Sequence, residues 1–234
     1  MIYNLENLTE VKKNTTGTGL LIENDGRIQG NDELVKQVNE DMRTGKKFII
    51  PEHFVVSAVF QKYGIKNANG RIYPENVLKK EVEKYMTKVH NHNALGALDH
   101  PASSTLSGHD VSHNILDLRW EGRTLVGEME LQLSPGYIRY GVCSTSGDLV
   151  ANMILSGYLI GVSSRGVGSV EQSLGQYMVQ DDFELIGWDV VLEPSTPNAW
   201  IGRTMNDLDQ YKEEKEINGT PLNEKLAKIN SILL

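Results

Sequence analysis

Apolar and polar positions divide the chain into stretches of different texture. Over 1–46 the residues are mainly Asn, Asp, Glu, Gly and Lys, and the one apolar patch is Leu20, Leu21 and Ile22. That composition predicts a loosely held leader. From Lys47 the texture changes: Phe48, Ile49 and Ile50, then Phe54, Val55, Val56, Ala58, Val59 and Phe60, predict β-rich segments. They end at Asn67-Ala68-Asn69-Gly70, where Asn69-Gly70 signals a turn because both residues tolerate positive φ. Pro74 then fits the first position of a helix whose apolar side is Leu78, Val82 and Tyr85.

Short segments follow. Residues 94–98 and 111–120 predict strands, and in 124–131 the alternation of Leu125, Gly127, Met129 and Leu131 with polar neighbours predicts a half-buried strand. Ser146 can cap a helix over 147–156 with Leu149, Val150, Met153 and Ile154 on one face and Gly157 as its stop. Residues 159–164, 167–172, 176–180 and 183–192 read as successive strands, the middle pair joined at Leu174-Gly175 and the set closed by Pro194 and Pro197. Residues 206–234 read as a charged tail ending in a helix with a Leu222, Leu226, Ile229, Leu233 stripe. The chain thus reads as α+β: a leader over 1–46, a barrel domain over 47–205 built on a nearly closed antiparallel sheet, and a helical tail over 206–234.

Composition narrows the function. The chain has 234 residues, 39% hydrophobic and 23% charged, which suits one globular domain with extensions. A net charge of −8 argues against a general nucleic-acid binder, which needs a basic face to neutralise phosphates. Cys143 is the single cysteine, so no internal disulfide and no thiolate-built zinc site can form. The most apolar window, 149–162, is interrupted by Asn152, Ser156 and Gly157, so no membrane span is expected.

Two segments carry candidate chemistry. Gly161-Val162-Ser163-Ser164-Arg165-Gly166-Val167-Gly168 places two hydroxyls at an expected strand end, before an arginine and glycines that would let backbone amides approach a substrate oxygen. A serine needs a base to become a nucleophile. Among the six histidines the best placed is His100, in Leu98-Asp99-His100-Pro101, where proline ends the ladder and leaves the imidazole on a loop held by a rigid scaffold. The rival is a metal centre using His90, His92, His100, His109 and His113. Over 111–118 the reading is strand, in which His109 and His113 would lie too far apart to chelate one ion. No metal and no cofactor are expected.

Four motifs, Asn67-Ala68-Asn69-Gly70-Arg71-Ile72-Tyr73-Pro74, Ala94-Leu95-Gly96-Ala97-Leu98-Asp99-His100-Pro101, Gly161-Val162-Ser163-Ser164-Arg165-Gly166, and Trp188-Asp189-Val190-Val191 before Pro194-Ser195 and Ala199-Trp200, resemble in order and spacing the prohead core proteases of T-even-type phages. The resemblance covers 48–203. That family is similar in fold to herpesvirus maturation proteases. It implies a herpesvirus-protease-like antiparallel β-barrel flanked by helices and a serine endopeptidase that digests scaffold and trims capsid proteins inside the procapsid, in the host cytoplasm. It also implies phage scaffold and capsid proteins as substrates and a homo-oligomer, such as a ring, with neither nucleic acid nor membrane as partner.

Carried over residue by residue, the resemblance implies His100 as base and Ser163 as nucleophile, with Ser164 beside it on the opposite face of a strand. Asp189 is the candidate third member, because an unpaired carboxylate in so apolar a strand would be costly. Pairing of Asp189 with Arg165 or Arg203 is the bland alternative, and Glu184 and Asp99 stay open as acids. Oxyanion or substrate contacts would come from Arg165, Gly166 and Ser164, or from the Ser195-Thr196 turn. Arg71 and Tyr73 either anchor the turn into the helix or bind a substrate carboxylate.

The resemblance also implies cleavage after Glu in Leu/Ile-x-Glu. This chain has Leu8-Thr9-Glu10, Leu21-Ile22-Glu23, Ile50-Pro51-Glu52 and Leu222-Asn223-Glu224, so removal of the leader by self-cleavage after Glu10 is expected. The rival from another class is a non-catalytic barrel of the tail-tube kind, which would need no His and Ser at these positions.

Overall fold

Strands β1 (Gly17–Gln29), β2 (Val55–Lys62), β3 (Arg71–Ile72), β4 (Leu95–Ala97), β5 (Val111–Glu121), β6 (Thr124–Leu131), β7 (Gly161–Ser173), β8 (Gln176–Val179) and β9 (Glu184–Val191) form one sheet. Helices α1 (Glu75–His90), α2 (Pro135–Tyr140) and α3 (Ser146–Leu155) accompany it. The computed structural model describes residues 8–29, 40, 43–44, 50–156, 158 and 160–192. The expected strand residues Phe48 and Ile49, the stop at Gly157, Pro194, Pro197, the 195–196 turn, the 199–200 pair, Arg203, the 206–234 tail with its helix and the 222–224 triplet lie outside them.

The strand order is β3-β8-β7-β1-β2-β6-β5-β4, with β9 on the same β7 edge as β8. The sheet curls until the end of β4 meets β9 through a parallel bridge from Leu98 to Val190. The fold is α+β with a half-barrel sheet. Alternation in β6 gives the reason for the curl's inner face. Leu125, Gly127, Met129 and Leu131 are buried, while the residues between them are half-exposed. Each fully buried large apolar side chain contributes roughly 1.5–3 kcal/mol.

Helix α1 begins where Pro74, as its N-cap, holds φ at −60° and ψ at 148°. Its buried stripe is Val77, Leu78, Val82, Tyr85 and Val89, and it packs on β5 and β9. Three contacts fix it to β9: the buried Glu81 carboxylate accepts from the Leu185 amide at 3.2 Å, Lys88 Nζ donates to the Ile186 carbonyl at 3.0 Å, and Tyr85 meets Trp188 edge-on at 4.9 Å. Phe60 of β2 approaches the same indole at 5.4 Å, so Trp188 joins the helix to both sides of the curl.

The expected loose leader is corrected. β1 lies between β7 and β2, in the middle of the sheet, so the barrel domain does not begin at residue 47. The physical reason is long-range pairing. Glu23 is fully buried, and its carboxylate receives Arg71 Nη1, Tyr73 Oη at 3.0 Å, Asn67 Nδ2 at 2.6 Å and Asn69 Nδ2 at 2.8 Å. A charge so well supplied with donors can enter a core that its own neighbourhood would not predict. Arg71 and Tyr73 therefore face Glu23, and Arg71 Nη2 also donates to the Val11 carbonyl.

Three local expectations also change. The segments 159–164 and 167–172 fuse into the single strand β7, so Ser163 and Ser164 sit inside a strand and not at its end. Gly166 and Gly168 serve packing: a Cβ on Gly166 would lie 2.4 Å from the Phe183 ring, and one on Gly168 2.8 Å from the Phe183 backbone. Helix α3 is capped by Thr145, not Ser146, in a capping box with Asp148. Its buried face accordingly turns to Val150, Ala151, Ile154 and Leu155, leaving Leu149 exposed. The helical periodicity of the sequence does not reveal α2, capped by Ser134 with Pro135 opening it.

Candidate active site

The loop after β4 delivers His100. Gly96 lets β4 run against β9, because a Cβ there would stand 2.2 Å from the Trp188 carbonyl oxygen and 2.4 Å from the His113 ring. Two residues on, Leu98 bridges Val190, and the Asp99 amide donates to the Val190 carbonyl at 2.8 Å. Asp99 itself turns left-handed at φ 63°, a region aspartate tolerates better than most residues, and the chain leaves β9 with His100 facing the sheet.

Strands β7 and β9 supply the groups that His100 meets. Ser163 and Asp189 are register partners across these strands and so share a face. Ser163 Oγ lies 2.7 Å from His100 Nε2, and His100 Nδ1 lies 2.8 Å from Asp189 Oδ2. A carboxylate only accepts, so Nδ1 carries the hydrogen of the neutral ring and Nε2 is left to accept from the Ser163 hydroxyl. Ser163 and Asp189 are buried, and the His100 side chain is 19% exposed.

Asp189 is supplied on all sides. Oδ1 accepts the Ala97 amide at 3.0 Å and Arg165 Nη2 at 3.3 Å, while Oδ2 accepts Arg165 Nε at 2.7 Å besides His100. Burial pushes the carboxyl's pKa up, but the hydrogen bond from His100 and the Arg165 charge outweigh it and hold the group below its ordinary value. Asp189 thus meets both partners the sequence offers as alternatives, imidazole and guanidinium. Of the candidate acids, Asp189 is the one within bonding distance of His100.

Ser164 alternates with Ser163 on β7 and pairs with Glu23 and Trp188, on the opposite face of the sheet from His100. Arg165 spends its guanidinium on Asp189 and on the Ser103 carbonyl, 3.0 Å from Nη1. Arg165 and Gly166 have register partners in β1 on one side and in β9 on the other, and the pairing with β9 shifts register between them. The signal for the Arg165 pairing was its place in an apolar strand, where a lone cation demands a carboxylate.

His113 lies behind the site on β5, fully buried, its Nδ1 2.9 Å from Ser112 Oγ. Burial pulls its pKa down to about 4. His90, His92 and His109 are exposed. Among the described residues no group of three or more His, Cys, Asp or Glu side chains is placed to hold a metal ion, and no helix is long and apolar enough to cross a membrane.

The chain is similar to known proteins. A family model described as prohead core protein serine protease matches residues 15–208. Over 163 residues the chain is 31% identical to the prohead core protein protease of Enterobacteria phage T4, covering 67% of this chain and 72% of that protein. A solved structure of the bacteriophage T4 capsid assembly protease matches at a TM-score of 0.58 and 25% identity, covering 75% of this chain and 99% of that one.

Proposed function

The chain belongs to the prohead core protein serine proteases, and from that premise we propose that Ser163 is its nucleophile, His100 its base and Asp189 the acid that orients the base. The observation that carries this reading is the unbroken series of hydrogen bonds from Ser163 Oγ through the imidazole to Asp189. As Ser163 Oγ attacks a scissile carbonyl, His100 Nε2 takes its proton, and Asp189 stabilises the imidazolium that forms. The proton then passes to the leaving amine, and His100 activates the water that hydrolyses the acyl-enzyme.

The substrates on this reading are scaffold and capsid proteins inside the procapsid, met by a homo-oligomer whose fold is of the herpesvirus-protease kind. Labelling with a fluorophosphonate tests the nucleophile. Wild type and Ser164→Ala take the label, and Ser163→Ala does not. Label lost only in Ser164→Ala moves the nucleophile by one position, and undiminished labelling of both variants ends the reading.

Cleavage after Glu in Leu/Ile-x-Glu belongs to the same proposal, with the N-terminus as its own substrate at Glu10. The Leu21-Ile22-Glu23 triplet lies in β1 with Leu21 and Glu23 buried, so the folded chain is not cut there. The Glu10 site is docked as well: Thr9 O accepts from the Leu20 amide at 3.1 Å, and the Val11 amide donates to Leu20 O at 3.0 Å. Gly19 makes room for Thr9, since a Cβ there would stand 2.1 Å from its carbonyl oxygen. Cleavage after Glu10 therefore follows release of the 9–11 segment from β1. Intact-mass analysis of incubated protein reads it: loss of residues 1–10 supports self-cleavage, and an unchanged mass refutes it.

A further inference from the structure

We propose that Arg165 is a positioning residue for the reaction, acting on His100 through Asp189 and contacting no substrate. The proposal rests on the catalytic assignment just given, and its geometry is particular. The guanidinium is 4% exposed and approaches Asp189 edge-on with two nitrogens, Nε at 2.7 Å from Oδ2 and Nη2 at 3.3 Å from Oδ1. A two-point contact fixes the plane of a carboxylate where a single donor leaves it free to rotate. Oδ2 is the oxygen that also holds His100 Nδ1, so the direction set by Arg165 is handed to the imidazole, and from there to Ser163 Oγ.

The third nitrogen extends the linkage. Nη1 donates to the Ser103 carbonyl at 3.0 Å, three residues beyond His100, so one side chain anchors the acid and the loop that follows the base. A lysine offers a point charge and cannot make three such directed contacts.

Arg165 also sets the electrostatic balance. The charged or titratable groups facing the Asp189–Arg165 pair are His100, His113 of β5, and Tyr85 and Lys88 of α1. The guanidinium neutralises Asp189 inside the fold, and so limits how strongly the carboxylate favours the imidazolium over the neutral imidazole. Without Arg165 an uncompensated carboxylate draws a proton onto His100 at higher pH, removing the base form. Arg165→Met therefore moves the acid limb of the pH–rate profile to higher pH, an effect that loosened packing alone does not produce.

Ser163 labelling by a fluorophosphonate, followed against pH in protein shown to be folded by circular dichroism, is the experiment. Arg165→Met is expected to react at least about tenfold more slowly near neutral pH, with its acid limb displaced upward. Because the effect passes through Asp189, Arg165→Met causes little further loss in an Asp189→Asn background. A wild-type rate and profile in folded Arg165→Met overturns the proposal, and so does a loss that repeats in full on Asp189→Asn, since that would mean direct action on the substrate. If Arg165→Met does not fold, Arg165→Lys, which keeps the charge and loses the directed contacts, is measured instead: it should label more slowly with its acid limb unmoved, and a wild-type rate, or a loss that repeats in full on Asp189→Asn, overturns the proposal. Labelling that survives Ser163→Ala overturns the catalytic assignment instead, a result distinct from either.

Discussion

Lowering pH should destabilise this fold through one buried ring, His113. The unfolded chain takes up a proton on this histidine near the ordinary 6.5, whereas the folded chain, with the ring fully buried, does so only near 4. Between those values the unfolded state holds more protons, so stability falls as pH falls through 6.5 toward 4. At about 1.4 kcal/mol per pH unit the loss reaches about 3 kcal/mol over the interval. Glu23, whose carboxyl is pushed up by burial against the Arg71 charge, has the opposite sign: its contribution is present below 4.5 and fades as pH rises. Asp189 and Asp148, held below their ordinary 3.8, add losses only at lower pH.

The His113 share is isolated by comparing wild type with His113→Gln in urea unfolding at about pH 7 and about pH 4.5. Wild type should lose about 2–3 kcal/mol more than the variant on acidification. An equal loss in both proteins would refute the argument, because the groups that titrate there would then lie elsewhere.

Two further outcomes follow from packing and charge. Gly166→Ala drives a methyl to 2.4 Å from the Phe183 ring and 2.8 Å from the Glu184 carbonyl oxygen, and should lower stability by about 1–3 kcal/mol. An unchanged thermal midpoint would mean that Phe183 moves aside freely. Arg71→Met strands the buried Glu23 carboxylate and should cost about 3–5 kcal/mol, with much of it recovered in the Glu23→Gln, Arg71→Met pair, as read by urea midpoints. No recovery in the pair would contradict the charge argument.

Local pattern made some of this structure readable and left the rest hidden. Strict alternation over Leu125, Gly127, Met129 and Leu131 marked β6, and Pro74 with Leu78, Val82 and Tyr85 marked α1. Leu174-Gly175 marked the β7–β8 hairpin, where both residues take positive φ at 49° and 76°. β1 was hidden because Glu23 owes its buried place to Asn67, Asn69, Arg71 and Tyr73, all more than 40 positions away. β7 was split at Arg165-Gly166 because a glycine beside a charge resembles a break, and the Phe183 ring that requires Gly166 lies on a later segment. α2, six residues long, is too short for helical periodicity, although Ser134-Pro135 carried its cap signal.

At the candidate site the motifs pointed to His100, Ser163 and Asp189, and the curl of the sheet places them in one series of hydrogen bonds. The third contact of Arg165, to the Ser103 carbonyl, was invisible because a backbone acceptor leaves no mark in the sequence.

The join between Leu98 and Val190 closes the curl beside the candidate site. Imidazole and carboxylate stand on opposite banks of it, one delivered by β4 and the other by β9. Parting those banks by one strand spacing, about 4.8 Å, would break the link between them while every longer ladder stayed zipped. On the proposed assignment, a molecule that parted the two strands there would silence the chemistry.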